Sequence, residues 1–429
     1  MITVIGTGTG TGTGTAVEAM TATGRPVPTL AVGARRHLDA AGLPPGVPRI
    51  VLGPLAPALE SVAAHRAELG PAARVLVLAS GDPGFFGIVR ALAARFGPPA
   101  LDVRPSVPSV AVAFARAGLP WDDAAVVSAH GRDARTAVHV CLARPKTAVL
   151  TGPGAGPAEL GAALARLGAR RTLVVASALG GPDEELVRCS PREAAGRSWP
   201  GPVHVLLCLD PARALAPGPR VLAGPPPGPA RWALPEEEFA HRDEMVTKAE
   251  VRAMALARLG PRLGDLVWDI GAGSGSVAVE CARFGAAAVA VEKSAGAVAL
   301  CRANAAAHGV EVLTVQGAAP AALDGLPEPD AVFIGGGGAE LGAITAHAAR
   351  RARRTVVVAL AALDRVPVAR QALAAAGLAV DGVLLHAARL MPLPGEVTRL
   401  SARNPVFLLW GDRPGGPESR ENDEQGARP

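Results

Sequence analysis

Three glycines and one glutamate indicate a nucleotide-type ligand site in the C-terminal half of the chain. Gly271, Gly273 and Gly275 directly follow the apolar run 266–270. Glycine lets the backbone turn tightly and approach a ligand closely. Glu292 follows about twenty residues later, where a doubly wound sheet places an acidic side chain facing a ribose. Together these residues predict a site for an adenosine-containing cofactor.

The spacing of the glycines separates two classes of cofactor. The dinucleotide fingerprint is G-x-G-x-x-G, whose third glycine lies beside a pyrophosphate. This chain has G-x-G-x-G, with Ser276 where that third glycine would fall. The spacing resembles motif I of class I S-adenosylmethionine (SAM) methyltransferases, whose cofactor has no pyrophosphate. The alternative is a glycine-rich turn that binds nothing, and the strand, helix and spaced glutamate around the loop disfavour it.

The elements that must position this site alternate between strand-like and helix-like segments, the pattern of an α/β fold. The predicted strands after Glu292 are 310–315, 330–334, 355–360 and 404–410, with a helix over 298–308. Ligands bind at the carboxyl ends of the strands in such sheets. We therefore expect Gly317 and Ala318, and also Gly335 and Gly336, at the same edge as Gly271.

Proline and glycine mark the domain boundaries. Residues 211–235 contain two Pro/Gly-rich clusters that cannot form a helix or a central strand, which predicts a linker. An N-terminal domain would then span 1–210 and a C-terminal domain 236–414. The polar tail 415–429 is predicted to be disordered.

Composition excludes several classes of protein. The five cysteines among 429 residues show no metal-ligand spacing, which favours reduced thiols in a cytoplasmic protein without structural zinc. The sequence lacks an apolar run of about eighteen residues, so we expect no membrane span, and its N-terminus does not have the pattern of a signal peptide. The net charge of +5 is dispersed and aromatic residues are 3% of the chain. Both values disfavour a nucleic-acid partner.

The N-terminal half carries motifs of its own. The apolar strand 74–78 runs into Ala-Ser-Gly-Asp-Pro-Gly-Phe-Phe-Gly at 79–87. This segment resembles the Gly-Asp-Pro loop of tetrapyrrole methylases (class III), where the backbone at Gly81, Asp82 and Pro83 contacts SAM. The tripeptide alone is a common turn sequence. Two further segments match the same family in the same order, 120–132 and 150–156.

Two C-terminal segments make the resemblance specific. Residues 242–252 and 333–338, with the glycine loop between them, are similar to the decarboxylating precorrin-6Y C5,15-methyltransferase family of cobalamin biosynthesis. The resemblance covers residues 26–412. It implies a tetrapyrrole methylase domain followed by a Rossmann-like class I SAM-methyltransferase domain. The implied cofactor residues of the second domain are Thr247, Gly271, Ala272, Gly273, Ser274, Gly275, Glu292, Gly317 and Ala318.

The resemblance also implies the reaction and the partners. Precorrin-6B would become precorrin-8X by methylation at carbon 5 in the N-terminal domain, and by methylation at carbon 15 with loss of the ring C acetate carboxyl in the C-terminal one. Each domain would hold one SAM, and the protein would be a homo-oligomer such as a tetramer. Arg242, Lys248 and Arg252 would clamp substrate carboxylates, although surface ion pairs are an equal alternative for Lys248 and Arg252. Gly335 and Gly336 would lie beside the substrate.

The sequence leaves three questions open. A Gly-Thr repeat over residues 6–15 replaces the Gly-x-Gly loop and Asp-Gly pair of tetrapyrrole methylases. This departure leaves open whether Gly6 and Gly8 contact the cofactor or the substrate, and whether the first SAM site is retained or has decayed. A class I methyltransferase acting on RNA or protein, with a non-catalytic N-terminal domain, is the alternative function. No catalytic base is assigned, since structural roles suit His130 at least as well.

Overall fold

The structure is a computed structural model that describes residues 1–7, 26–201, 204–215, 223–224, 228–242 and 246–415. It divides into two compact units. The first unit comprises Met1–Arg132, Ala148–Glu159 and Thr172–Val221, and the second comprises Asp133–Thr147, Leu160–Arg171 and Leu222–Pro429. Two segments that the sequence analysis assigned to the N-terminal domain therefore group with the second unit. Most of the Gly-Thr repeat, parts of the linker and the tail from residue 416 lie outside the described residues.

A parallel five-stranded sheet opens the first unit, in the order β3-β2-β4-β1-β5. Its strands are β1 (Ile2–Thr7), β2 (Leu30–Gly33), β3 (Arg49–Val51), β4 (Val75–Ser80) and β5 (Leu101–Arg104). The central strand β4 begins with four buried apolar residues, as expected for a strand covered on both faces. Its carboxyl end leads into the Gly-Asp-Pro loop.

A second five-stranded sheet follows in the N-terminal half, in the order β6-β7-β10-β8-β9. Its strands are β6 (Ala125–Ser128), β7 (Lys146–Leu150), β8 (Thr172–Ser177), β9 (Glu185–Cys189) and β10 (Val205–Leu209). Strand β8 pairs antiparallel with both β9 and β10. The N-terminal half is therefore a mixed α/β structure with one parallel and one partly antiparallel sheet.

The C-terminal region is built on a seven-stranded sheet in the order β13-β12-β11-β14-β15-β19-β16. Its strands are β11 (Leu266–Ile270), β12 (Ala287–Glu292), β13 (Leu313–Gln316), β14 (Ala331–Ile334), β15 (Thr355–Leu360), β16 (Ala379–Leu385) and β19 (Val406–Asp412). The first five in that order are parallel. The chain leaves β11 on one side for β12 and later returns on the other side for β14. This switch opens a crevice at the carboxyl ends of β11 and β14.

The end of the C-terminal sheet differs from a simple parallel order. Strand β19, predicted as the last strand, inserts antiparallel between β15 and β16. Between β16 and β19 the chain forms a hairpin that the sequence analysis did not predict. Its strands, β17 (Ala388–Leu393) and β18 (Val397–Ala402), form a separate two-stranded sheet.

Twelve α-helices connect the strands within the described residues. In the N-terminal half they are α1 (Arg35–Ala40), α2 (Leu55–Leu69), α3 (Val89–Phe96), α4 (Ser109–Ala117), α5 (Ala134–Ala143), α6 (Pro157–Arg166) and α7 (Pro191–Gly196). In the C-terminal half they are α8 (Ala249–Leu259), α9 (Ser276–Arg283), α10 (Ala295–Ala307), α11 (Leu341–Arg351) and α12 (Val366–Ala375). Among the helices of the described residues, none is long and apolar enough to cross a membrane.

Candidate functional site

The glycine loop of the C-terminal unit lies where the sequence predicts it, between β11 and α9. Gly271, Gly273 and Gly275 have φ values of 70°, 54° and 74°, in the left-handed region that favours glycine. A Cβ on Gly271 would lie 3.1 Å from the backbone nitrogen of Gly336, and one on Gly275 would lie 2.3 Å from Cys301 Sγ. Both the conformation and the close packing of this loop therefore require glycine.

Glu292 ends β12 beside the loop, as predicted. Its Oε2 accepts a hydrogen bond from the Gly273 backbone N–H at 3.1 Å, and its Oε1 accepts one from Ser294 N–H at 2.9 Å. The Glu292 backbone carbonyl accepts from Gly317 N–H at 3.0 Å. The carboxylate and the loop after β13 are thus brought together, and a ribose diol is a group that such a carboxylate can bind.

Two buried polar atoms under the loop have no protein partner among the described residues. They are Asp269 Oδ1 and Ser274 Oγ. The other oxygen, Asp269 Oδ2, accepts from Ala278 N–H at 3.0 Å and caps the start of α9. Burial raises the pKa of Asp269 to about 7. Unpaired buried polar atoms are costly, and a polar ligand in the crevice would offset that cost.

The two glycine pairs predicted at this edge are both there. Gly317 and Ala318 follow β13, and Gly335 and Gly336 are exposed after β14. Gly335 N–H donates to the Ile270 carbonyl at 3.0 Å, which fixes this turn against the glycine loop. This edge of the sheet is therefore lined at Gly335 and Gly336 by exposed backbone without side chains.

Arg252 corrects one expectation, because it is not available to clamp a substrate. Its side chain is fully buried and forms an ion pair with Glu280, with 3.2 Å between Nε and Oε1. The guanidinium also donates to the carbonyls of Thr247 and Leu234 and lies over the Phe239 ring. Arg252 instead holds the backbone of the segment that carries Thr247.

The other predicted binding residues around α8 are closer to the surface. Thr247 and Lys248 are half-buried at the start of α8, and Arg242 is exposed. The acidic residues Asp243 and Glu244, which follow Arg242 in the chain, lie outside the described residues. Glu250 pairs with Arg389 of the hairpin, with 2.7 Å between Oε2 and Nη2. Glu250 thus forms its surface ion pair with a residue that is distant in sequence.

Asn304 is a functional-site residue that the sequence analysis missed. Its amide nitrogen donates to the Ser274 carbonyl of the glycine loop at 2.8 Å and to the Ala240 carbonyl at 2.9 Å. Its Oδ1 accepts from Ala240 N–H at 2.7 Å. One buried amide thus joins the loop to the segment before α8. The available signal was an asparagine inside an alanine-rich helix, where it has no favourable local role.

The Gly-Asp-Pro loop of the N-terminal unit follows β4 as predicted. Asp82 Oδ1 accepts from Gly84 N–H at 2.8 Å, a short-range turn contact that shapes the loop. Gly81 has a φ of 61°. A Cβ on Gly6 would lie 2.1 Å from the Gly81 carbonyl oxygen, so β1 and the loop pack backbone to backbone. Gly6 thus has a packing role, while Gly8 lies outside the described residues.

His130, for which the sequence analysis weighed a catalytic role, and His241 differ in their surroundings. His130 is exposed after β6, and a Cβ on Gly152 would lie 2.9 Å from its Nδ1. His241 is also exposed, and its Nδ1 lies 2.8 Å from the Phe239 carbonyl oxygen. Within the described residues, no group of three or more His, Cys, Asp or Glu could hold a metal.

These features fit SAM in the C-terminal crevice. The glycine loop turns tightly at the end of β11, Glu292 beside it can bind a ribose, and Asp269 and Ser274 offer unpaired polar atoms. The residues that would hold the cofactor are those of 271–275 with Glu292, Gly317 and Ala318. A doubly wound sheet with this site defines a SAM-dependent methyltransferase.

The comparisons with known proteins agree with this class. Residues 237–409 match the precorrin methyltransferase domain, and residues 35–195 match the tetrapyrrole (corrin/porphyrin) methylases. A precorrin-6Y C(5,15)-methyltransferase [decarboxylating] from Sinorhizobium sp is 38% identical over 325 residues, 73% of each chain. A probable cobalt-precorrin-6B C(15)-methyltransferase (decarboxylating) from Pyrobaculum calidifontis is 37% identical over 183 residues, 41% of this chain and 93% of that one.

The chain is also similar to several solved structures. The C-terminal domain of precorrin-6Y C5,15-methyltransferase from Rhodobacter capsulatus is 36% identical, with a TM-score of 0.38, over 42% of this chain and 97% of that one. The extent and identity of the Sinorhizobium match decide the family. The chain belongs to the decarboxylating precorrin-6Y C5,15-methyltransferases, so the hypothesis of a methyltransferase for RNA or protein is not favoured.

Proposed function

We propose that this protein converts precorrin-6B to precorrin-8X by two C-methylations and one decarboxylation, with one SAM site in each domain. The observation that carries the proposal is the presence of two methylase-type loops in one chain, each at the carboxyl end of a strand with parallel neighbours on both sides. One is the Gly-Asp-Pro loop after β4, with Gly81, Asp82 and Pro83 as the SAM contacts. The other is the glycine loop after β11.

The domains, 1–210 and 236–414, divide the work between them. The C-terminal one methylates carbon 15 and removes the carboxyl of the ring C acetate, and the N-terminal one methylates carbon 5. A relative named only for carbon 15 and decarboxylation supports this division, because it aligns with 183 residues, about the length of the C-terminal match. The N-terminal match to tetrapyrrole methylases supports the other half.

The chemistry asks mainly for positioning. SAM supplies an electrophilic methyl group, and the tetrapyrrole supplies an electron-rich carbon. Holding two such groups in line is worth about 7–11 kcal/mol. The exposed glycines 335 and 336 leave backbone against which a flat macrocycle can lie, and Arg242 and Lys248 would bind its carboxylates. Excluding water from the carboxylate that leaves favours decarboxylation.

The protein acts as a homo-oligomer, and its hairpin supports this proposal. A two-stranded sheet alone is only marginally stable in water. The hairpin nevertheless exposes Leu390 by 77% and Leu400 by 66%, and these residues are directly opposed across the two strands. An apolar patch of this kind marks an interaction surface, and a second copy of the chain would cover it.

The five free cysteines suit a reducing cytoplasm.

Product mass tests the proposal. The protein is incubated with methyl-labelled SAM and precorrin-6B, and we expect two labelled methyls and loss of carbon dioxide. Glu292→Gln should abolish or slow the carbon 15 step and decarboxylation while the carbon 5 methyl is still added. Glu237→Gln, at an exposed site on the same unit, is the matched control. No methyl transfer with SAM still bound would overturn the assignment, and one methyl with decarboxylation would limit it to the C-terminal domain.

A further inference from the structure

Four side chains meet at the carboxyl edge of the first sheet, next to the Gly-Asp-Pro loop. Thr7 ends β1, Ser80 ends β4, and Arg36 and His37 lie on α1 after β2. His37 Nδ1 is 3.1 Å from Thr7 Oγ1, and His37 Nε2 is 2.8 Å from Ser80 Oγ. Arg36 reaches the same hydroxyl, with 3.0 Å between Nη2 and Ser80 Oγ. Three neighbouring parallel strands thus contribute to one polar cluster.

The partners of the cluster determine where its protons lie. The Thr7 hydroxyl donates to the Ala79 carbonyl at 2.9 Å, so it accepts a hydrogen bond from His37. Nδ1 is the nearer ring nitrogen, at 3.1 Å against 3.5 Å for Nε2, and we assign the proton to it. Arg36 can only donate, and its Nε points at His37 Nε2 from 3.4 Å. The Nε2 atom is therefore an unprotonated acceptor. Ser80 accepts from Arg36 and has its own proton free to donate to Nε2.

This arrangement can carry a proton in one direction, from the exposed hydroxyl of Ser80 to the ring of His37. Ser80 and Arg36 are exposed, whereas His37 is half-buried. Its surroundings present the neutral hydroxyls of Thr7 from β1 and Ser80 from β4, and the Arg36 cation from its own helix. Burial, and then the charge of Arg36, lower the pKa of His37 below its ordinary value. The imidazole is therefore neutral at neutral pH and can accept a proton.

The proposed carbon 5 methylation releases such a proton. The bond between sulfur and methyl breaks with its electron pair on sulfur, and the substrate carbon supplies the pair for the new carbon–methyl bond. The positive charge of the sulfonium passes to the macrocycle, which becomes neutral again only by losing a proton. We infer that Ser80 takes this proton while passing its own to His37 Nε2, and that the imidazolium then returns it to solvent. This inference rests on the proposed function of the N-terminal domain.

Nuclear magnetic resonance of the ligand-free protein tests the proton assignment without any turnover. With ¹⁵N-labelled histidine, His37 should be the Nδ1–H tautomer with a pKa below that of a free histidine side chain. His65 is the matched control, because its Nε2 also contacts a threonine hydroxyl, that of Thr29 at 2.8 Å. Thr29 lies just before β2, whereas His37 lies beyond the other end of that strand. An Nε2–H tautomer for His37, or an ordinary or raised pKa, overturns the relay.

Turnover tests the role itself, with the C-terminal reaction as the internal reference. His37→Gln should slow carbon 5 methylation about 100-fold, a common value for loss of acid–base catalysis, and should remove the acidic limb of its pH profile. Ser80→Ala should also slow this step, and imidazole should partly rescue His37→Gly. SAM affinity, carbon 15 methylation and decarboxylation should stay as in the unmodified protein, as they should for His65→Gln.

The outcomes separate the inference from the function on which it rests. If the unmodified protein adds a methyl at carbon 5 and His37→Gln does so within threefold with the same pH profile, the inference alone is wrong. If SAM affinity falls in parallel with the rate, His37 only shapes the cofactor site and the relay is overturned. If the unmodified protein adds no methyl at carbon 5, the proposed function fails and the inference fails with it.

Discussion

At the scale of single residues, the most informative groups in the C-terminal unit are charged side chains removed from water. Asp269 lies fully buried under the glycine loop and Arg252 lies fully buried beside Thr247. Neither would be stable in isolation, because burial penalises a charge. The first responds by a raised pKa and the second by an ion pair with Glu280.

Asp269 predicts a pH dependence of stability. Its pKa rises from 3.8 in the unfolded chain to about 7 in the folded one, so the folded state holds a proton that the unfolded state releases. The contribution of protonated Asp269 to the free energy of unfolding is therefore full below about pH 4 and is lost as the pH rises through 7. Asp269→Asn should remove this slope, of at most about 1.4 kcal/mol per pH unit.

Urea unfolding at several pH values between 4.5 and 7 checks this prediction. The free energy of unfolding of the unmodified protein should fall with pH relative to that of Asp269→Asn. The exposed Asp364 provides the control, since Asp364→Asn should keep the slope of the unmodified protein. Parallel curves for all three proteins would contradict the prediction.

Arg252 is predicted to act through the backbone it holds. Arg252→Met leaves the buried Glu280 carboxylate with Arg283 as its remaining cationic partner, which should cost about 3 kcal/mol of stability. Chemical unfolding followed by circular dichroism measures this loss. Arg370→Met, on the exposed side of α12, should change stability by less than about 0.5 kcal/mol. Equal effects of the two substitutions would mean that the buried ion pair is not important for stability.

At the scale of elements, the side chain of Arg389 attaches the hairpin of β17 and β18 to the segment around the start of α8. Arg389 on β17 bonds Glu236 at 2.6 and 2.8 Å and Glu250 at 2.8 and 2.7 Å. Glu236 also accepts from Ala249 N–H at the start of α8. The hydrogen bond from Arg389 is the largest cause that lowers the pKa of Glu236 to about 2.

Removing this attachment should loosen the hairpin. Arg389→Met should accelerate hydrogen exchange of the hairpin amides about 10- to 160-fold, which corresponds to about 1.5–3 kcal/mol for hydrogen bonds between charged groups. Because the pKa of Glu236 is depressed, the attachment is fully stabilising above about pH 4.5 and is lost as the pH falls toward 2. The unmodified protein should therefore approach the exchange rates of the variant in acid.

Arg399 provides the comparison for this experiment. It lies on the opposite strand β18, where its guanidinium donates to the Met391 sulfur at 3.4 Å. Arg399→Met should leave exchange in the hairpin unchanged at all pH values. Acceleration by both substitutions alike would show that the hairpin is held by its general charge rather than by Arg389.

At the scale of the whole molecule, the proposed homo-oligomer depends on the apolar hairpin surface. Leu390→Glu places a charge in that surface and should shift the protein to a smaller mass by light scattering, with unchanged circular dichroism. Leu363, which is 67% exposed outside the hairpin, is the control, and Leu363→Glu should keep the mass. An unmodified protein of monomeric mass would contradict the proposed assembly.

The sequence by itself determined the positions of the glycine loop and the Gly-Asp-Pro loop and most strands of the C-terminal sheet. The limits of β11 and β15 agree with the prediction, and Glu292 and the glycines lie at one edge as expected. These features are local: an apolar run of strand length, glycines with positive φ and an acidic residue at a fixed spacing depend on neighbours in the chain. The resemblance to a family added the reaction and its substrate.

Only the tertiary structure decided which polar side chains serve the site and which serve the fold. Arg252 looked like a substrate contact, yet Glu280, 28 positions away, takes it into the core. Asn304 carried only its asparagine type inside an alanine-rich helix as a local signal, and the cluster of Ser80, His37 and Thr7 carried none, because their partners are 30 to 64 positions apart. The insertion of β19 between β15 and β16 has the same origin. Contacts at long sequence separation follow from how the strands are ordered in the sheet, which a local pattern does not specify.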